Sequence, residues 1–400
     1  MIRTGGGRAL GDLFALDPGR THLNLGAFGA VPRPVLAARR RWIERAEADP
    51  HRFHRVELPA AVARARLAAA RWLEVDPGSL ALVTNVTEGI STVLASLRLG
   101  RGDDIVVSDH GYGAVRLALA SWSVHHGVAV REVAIPLAAG DAEIVGAFAS
   151  AVGPRTRLVI VDQITSPTAR EFPAREVAAA VRATGHRALV LVDGAHAPGT
   201  LPTDVAGLGA DVWVGNFHKW LFAPRGTAGL WLAPPLRELV RPLVLGWASE
   251  VTYPACFDSR GTQDLSGWLA LPDALALWGE LGGWDMVAHG AQVVGAGNET
   301  LVTALRDAGH EVDLSVLSDR PAPTMRLLPL PAGVASDQQA ADALCDALSL
   351  RGLEVAVVAW GGRGWLRPGA HAVTEPADFD HLATELPGVL RELRSSALAR

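Results

Sequence analysis

Seven short apolar stretches punctuate the first two thirds of the chain, near residues 80–84, 104–107, 128–136, 158–161, 188–192, 212–215 and 226–232. Runs this short and continuously apolar read as strands buried on both faces. Helical segments are expected between them, at about 32–48, 59–73, 91–97, 114–125 and 174–184, with Asp49-Pro50 closing the first. Residues 23–30 read as a short strand or a glycine-rich turn, and no element is read between 136 and 158. Strands alternating with helices predict an α/β fold around a mostly parallel sheet covered on both faces. Ligands of such sheets bind beyond the carboxyl ends of the strands. Those ends carry the polar clusters: Asn85-Val-Thr-Glu-Gly89, Ser108-Asp-His-Gly-Tyr112, Asp162-Gln-Ile-Thr165, Asp193-Gly-Ala-His196 and Asn216-Phe-His-Lys219. They should converge on one crevice.

Beyond about residue 264 the pattern changes. Helices are expected at 268–281 and 286–308, strands near 325–328 and 353–358, a turn at 360–364 and a terminal helix from about 376. This predicts a smaller α+β domain over 265–400, a large domain over 22–264, and an N-terminal segment, 1–21, that packs with the smaller domain.

A single lysine, Lys219, stands among 37 Lys and Arg residues. A coding preference for arginine explains the other 36 (37 minus 1) but not the survivor, which lies between a buried strand and a Pro-Arg-Gly turn. Arginine stays protonated and forms no imine, so any carbonyl–amine chemistry falls to Lys219 or the N-terminal amine. Composition excludes other classes of function. A formal net charge of -5 gives no basic footprint for nucleic acid. No apolar run reaches the about 18 residues of a spanning helix. Two cysteines, Cys256 and Cys345, make no disulfide framework and fit a reducing compartment. The N-terminus lacks the apolar core of a signal peptide, so a cytoplasmic location is expected.

An acid after one buried strand (Asp193), a lysine after the next (Lys219) and a Thr/Gly loop before a helix are the parts pyridoxal phosphate needs. The lysine carries it, the acid meets its ring nitrogen, and the loop presents backbone N–H groups to its phosphate. With Asp-Gly-Ala-His at 193–196, Asn-Phe-His-Lys at 216–219, Gly-Thr-Gln-Asp at 261–264 and Trp-Leu-Arg at 365–367, the sequence resembles fold-type I pyridoxal phosphate enzymes. Within them it is similar to the class V aminotransferase and cysteine desulfurase superfamily, in its isopenicillin N epimerase-like branch. The resemblance runs from Asn24 to Arg367. It implies a mostly parallel seven-stranded sheet flanked by helices, with a smaller α+β C-terminal domain.

It also implies roles. Lys219 would carry the cofactor and move the α-proton, and Asp193 would pair with the pyridine nitrogen. His196 and Gln163 would lie near the phenolic oxygen. Val86, Thr87 and Glu88 would line the phosphate loop, with Asn216 and His218 as further phosphate contacts. Thr262 would reach the phosphate of a neighbouring subunit, which implies a homodimer with shared active sites. His110 would stack on the ring, with Tyr112 as its rival. Arg367 would clamp the carboxylate of an amino-acid substrate, with Arg363 as the alternative and Asn24 and Gly26 nearby.

The fold leaves the reaction open. A desulfurase needs a cysteine on the loop before Arg367, and 354–367 has none. An epimerase needs a second acid opposite Lys219, with Tyr112 and Tyr253 the only tyrosines. A β-eliminating lyase needs Lys219 and a leaving group. C–S cleavage of an S-conjugated L-cysteine in secondary metabolism is the leading expectation, before epimerisation and transamination. A sensor or scaffold is the non-enzyme alternative, and retention of both Lys219 and Asp193 argues against it.

Overall fold

The computed structural model describes residues 10–398, with side chains to residue 393. Residues 1–9 of the expected N-terminal segment lie outside the described residues. Two compact units form: residues 29–166 with 171–280, and residues 1–28 with 167–170 and 281–400.

The first unit is built on seven strands: β1 (Leu80–Val83), β2 (Asp104–Ser108), β3 (Ala129–Val133), β4 (Thr156–Asp162), β5 (Leu189–Gly194), β6 (Val212–Asn216) and β7 (Ala228–Leu232). Their order is β1-β7-β6-β5-β4-β2-β3. Strand β7 runs antiparallel to both its neighbours, and the other pairs are parallel. Every residue of β1, β2, β6 and β7 is buried, which accounts for their continuous apolarity. Strand β3 lies at the edge and is correspondingly half-exposed.

The longer helices that accompany the sheet are α1 (Arg33–Ala48), α2 (Leu58–Trp72), α3 (Val86–Ser96), α4 (Gly113–His126), α5 (Asp141–Ala151), α6 (Ala174–Ala183) and α7 (Leu271–Glu280). Ile90, Val93 and Leu94 of α3 join Val107, Leu158, Ile160, Leu191 and Val214 in one core cluster. A Cβ on Gly89 would stand 2.5 Å from Val214 Cγ1, so glycine is what lets α3 lie directly on β6.

At three places the structure adds to the local reading. Asp49-Pro50 ends α1 but also starts the next helical turn. Asp49 accepts a hydrogen bond from the Arg52 amide, Pro50 occupies the position where a missing N–H costs nothing, and helical backbone continues into α2. Helix α5 is present in the stretch where no element is read. Its buried face is only Ile144 and Phe148, too sparse for a periodic signal. In residues 23–30 the chain makes a helical turn, Leu25–Phe28, and the strand is the preceding Thr21–His22, paired with Leu353–Glu354.

The second unit contains α8 (Trp284–Asp307), β8 (Leu328–Pro329), α9 (Gln338–Ser349), β9 (Ala356–Trp360), β10 (Arg363–Arg367) and α10 (Pro376–Leu398). Strands β9 and β10 form a hairpin whose turn residues, Gly361 and Gly362, have φ of 61° and 69°. Positive φ at both central residues is the hairpin geometry that matches strand twist. Gly297 of α8 lets Phe379 of α10 approach, since a Cβ there would be 2.2 Å from Phe379 Cγ.

Candidate active site at the strand ends of the larger unit

Parallel register sets the centre of the site. Asp162 ends β4 and pairs with Asp193 on β5, which in turn pairs with Val214 on β6. Both carboxylates are buried at 3% exposure. Burial pushes both above the usual carboxylate range, Asp162 the more strongly because Asp193 adds like-charge repulsion. The Ala195 amide, 2.9 Å from Asp193 Oδ1, and the Lys219 charge oppose the shift at Asp193.

Lys219 follows β6, and its Nζ lies 2.9 Å from Nε2 of the buried His196. Trp220 Nε1 approaches the other ring nitrogen, Nδ1, at 3.4 Å. An indole only donates, so at this contact Nδ1 is the acceptor.

Gln163 is also buried, and its Oε1 accepts from Trp213 Nε1 at 2.7 Å. Gly194 makes room for that contact: a Cβ there would stand 2.5 Å from the indole nitrogen and 2.9 Å from the Gln163 oxygen. His110 is fully buried, donates from Nε2 to the Ile135 carbonyl at 2.9 Å, and tilts against Phe172. Tyr112, at the start of α4, is 44% exposed.

Val86, Thr87 and Glu88 form the first turn of α3 rather than a loop. Asn85 caps it by accepting from the Glu88 amide at 2.8 Å. Asn216, at the end of β6, accepts from the Val86 amide at 3.1 Å. The Glu88 carboxylate turns back to the Thr84 amide at 2.7 Å and to the Thr84 hydroxyl, and forms an ion pair with Arg260. His218 Nδ1 donates to the Thr227 carbonyl at 3.0 Å, and burial lowers its pKa to about 4, so the ring is neutral at physiological pH. Gly29 meets the His218 carbonyl so closely that a Cβ there would fall 1.7 Å from the oxygen. Thr262 is exposed on the loop after Arg260, and Asp264 ends that loop by bonding Arg39 at 3.0 Å and the Ser266 amide at 2.8 Å.

In the second unit, Arg367 is buried on β10 with its Nη2 3.5 Å from Asn24 Oδ1; Gly26, two residues after Asn24, is also buried. Arg363, on the same strand face, lies over the Trp365 ring at 5.2 Å. The structure therefore gathers Lys219, Asp193, His196, Gln163, Asn216 and His218 at the ends of β4, β5 and β6. It separately brings Asn24 to Arg367. Two residues that the sequence reading passes over belong to this description. Asp162 was visible as a carboxylate closing an apolar strand. Arg260 gave no signal, being one arginine among many.

This donor set fits pyridoxal phosphate. A buried carboxylate suits a pyridinium nitrogen, a partly buried amine suits its aldehyde, and the capped N-terminus of an eleven-residue helix suits its phosphate. Among the described residues no group of three or more His, Cys, Asp or Glu is placed to hold a metal, and no helix is long and apolar enough to cross a membrane.

The seven-stranded sheet with β7 reversed, and helices on the sheet, define the fold-type I architecture. A solved complex of the cystine C-S lyase C-DES with its reaction product cysteine persulfide superposes with a TM-score of 0.78 at 22% identity, covering 92% of this chain and 98% of that one. The family model "Aminotransferase class-V" matches residues 24–304, and the chain belongs to that family. Isopenicillin N epimerase of Streptomyces clavuligerus is 36% identical over 284 residues, 67% of this chain and 71% of the relative. A putative L-cysteine desulfhydrase 1 of Oryza sativa subsp. japonica is 31% identical over 279 residues, 65% of this chain and 57% of the relative.

Proposed function

We propose that this chain is a pyridoxal phosphate-dependent lyase that cleaves the C–S bond of an S-conjugated L-cysteine by β-elimination, with a role in secondary metabolism. The observation that carries the reading is the partly buried Lys219 against the buried His196 and Asp193 at neighbouring strand ends. Asp193 would hold the pyridine nitrogen, with His196 and Gln163 on the phenolic side and His110 or Tyr112 against the ring. The first turn of α3 with Asn216 and His218 would hold the phosphate, and Lys219 would carry the cofactor covalently. When bound, pyridoxal phosphate accepts the electron pair left on the α-carbon.

Everything else falls to the chain. Arg367 would grip the α-carboxylate with its planar fork, Asn24 steadying it, and Arg363 would meet a second acidic group on a larger substrate. Lys219 Nζ would take the α-proton, with His196, 2.9 Å away, positioning the amine. The β-carbon–sulfur bond then breaks, the sulfur leaves as a thiolate, and hydrolysis of the remaining three-carbon enamine gives pyruvate and ammonia.

The cysteines and tyrosines support this choice. Cys345 lies on α9, donates to the Val355 carbonyl at 3.3 Å, and has its thiol pushed up by burial, all against a desulfurase nucleophile. Tyr253 is buried with its hydroxyl bonded to the Ala81 amide and the Leu230 carbonyl, which removes one of two tyrosines as an epimerase acid. Epimerisation remains the second reading because the Streptomyces relative named for it is 36% identical. The relatives named as desulfhydrases favour the lyase.

Assembly is part of the proposal. Thr262 and the 98% exposed Trp247 line one cleft, an arrangement suited to a homodimer in which Thr262 reaches the neighbouring subunit's phosphate. We place the enzyme in the cytoplasm, where Cys256 and Cys345 would remain thiols. The test is incubation with S-substituted L-cysteines in deuterated water. Equimolar thiol and pyruvate establish the lyase. Solvent deuterium in a recovered amino acid of inverted configuration, without thiol release, replaces it with the epimerase.

A further inference from the structure

The first turn of α3 is asked to hold a phosphate while carrying a carboxylate of its own. Glu88 stands at the third helical position, and its side chain is 18% exposed. A helix N-terminus offers about half a positive charge, which one carboxylate more than cancels. Arg260 corrects this. Its Nη1 pairs with Glu88, its side chain is 6% exposed, and its Nε and Nη2 have no hydrogen-bond partner among the described residues. The guanidinium carbon lies 5.2 Å from the centre of the Trp268 ring, whose own nitrogen is tied to the Gly226 carbonyl at 2.8 Å. The guanidinium is thus held from one face and one edge, and its other edge keeps two N–H groups for an acceptor.

Buried guanidinium donors without acceptors are costly, and a planar pair of N–H groups matches two oxygens of a phosphate. We propose that Arg260 is a positioning and binding residue for the phosphomonoester dianion at the α3 terminus. It cancels the Glu88 charge and presents its Nε/Nη2 edge to the phosphate. This rests on the reading of that terminus as the phosphate site of pyridoxal phosphate. Arg260 also immediately precedes Gly261 and Thr262, so the same ion pair fixes where the Thr262 loop leaves the helix end.

The test compares pyridoxal phosphate with pyridoxal, which lacks the phosphate, by equilibrium dialysis against full-length protein freed of cofactor. Arg260→Gln should weaken pyridoxal phosphate by about 10- to 100-fold, the range for one charge-assisted donor group, and leave pyridoxal unchanged. Arg260→Lys keeps the charge without the fork and should fall between. The double variant Glu88→Gln/Arg260→Gln should recover part of the loss, because the uncompensated carboxylate is gone. Equal weakening of both ligands, weakening of neither, or no recovery in the double variant overturns the proposal. A wild-type protein that binds pyridoxal as tightly as pyridoxal phosphate removes the phosphate site itself, and the reading beneath falls with it.

Discussion

Asp162 and Asp193 occupy paired positions on adjacent parallel strands, so two buried carboxylates face one side of the sheet beside Lys219. Both titrate above their unfolded values, so the folded state binds more protons than the unfolded one. Stability contributed by Asp162 is therefore full below about pH 4 and declines as pH rises towards its raised value. In the cofactor-free protein, Asp162→Asn should raise stability at pH 7–8 by about 1–3 kcal/mol. The gain should vanish near pH 4. Thermal melts of both proteins across pH 4–8 check this, and a variant less stable at pH 8 would show that Asp162 is ionised and satisfied.

His218 has the opposite sign. Its folded pKa of about 4 lies below the unfolded 6.5, so between these values the unfolded state binds more protons. Stability is present above pH 6.5 and lost as pH falls towards 4, by about 3 kcal/mol in total. The ring resonances should titrate near 4, and His218→Gln should remove this portion of the acid sensitivity.

Lys219→Ala should leave the chain folded, because Lys219 follows β6 and is only partly buried. Borohydride treatment of the variant loaded with pyridoxal phosphate should trap no cofactor on protein, whereas the parent should retain it after denaturation. A trapped adduct in the variant would assign the covalent role elsewhere.

Arg367→Lys retains charge but loses the fork that faces Asn24. It should raise KM and lower kcat, each by about 10-fold or more, since binding and alignment both suffer. Arg363→Ala should spare a simple S-alkyl cysteine and impair only substrates with a second acidic group. Steady-state kinetics on both substrates decide: if only the Arg363 change harms the simple substrate, the clamp is Arg363.

The sequence by itself determined the α/β plan and the chemical core. Continuous apolar runs ending in Asp193 and Lys219 are legible because a strand buried on both faces leaves no alternation, and function gathers where it ends. The lone lysine was equally plain, since its side chain is chemically unlike the arginines around it. Helix α5 was not legible, because two buried side chains make no period. Nor was the second start hidden in Asp49-Pro50, where one dipeptide both stops a helix and caps the next. The tertiary structure alone decided the pairings. Glu88 meets Arg260 across 172 residues, Asp162 meets Asp193 through strand register, and Tyr253 is buried against β1 and β7 rather than available to a substrate. Such pairings depend on which strand lies beside which and on how the 253–264 segment returns to the sheet, and no local pattern encodes that.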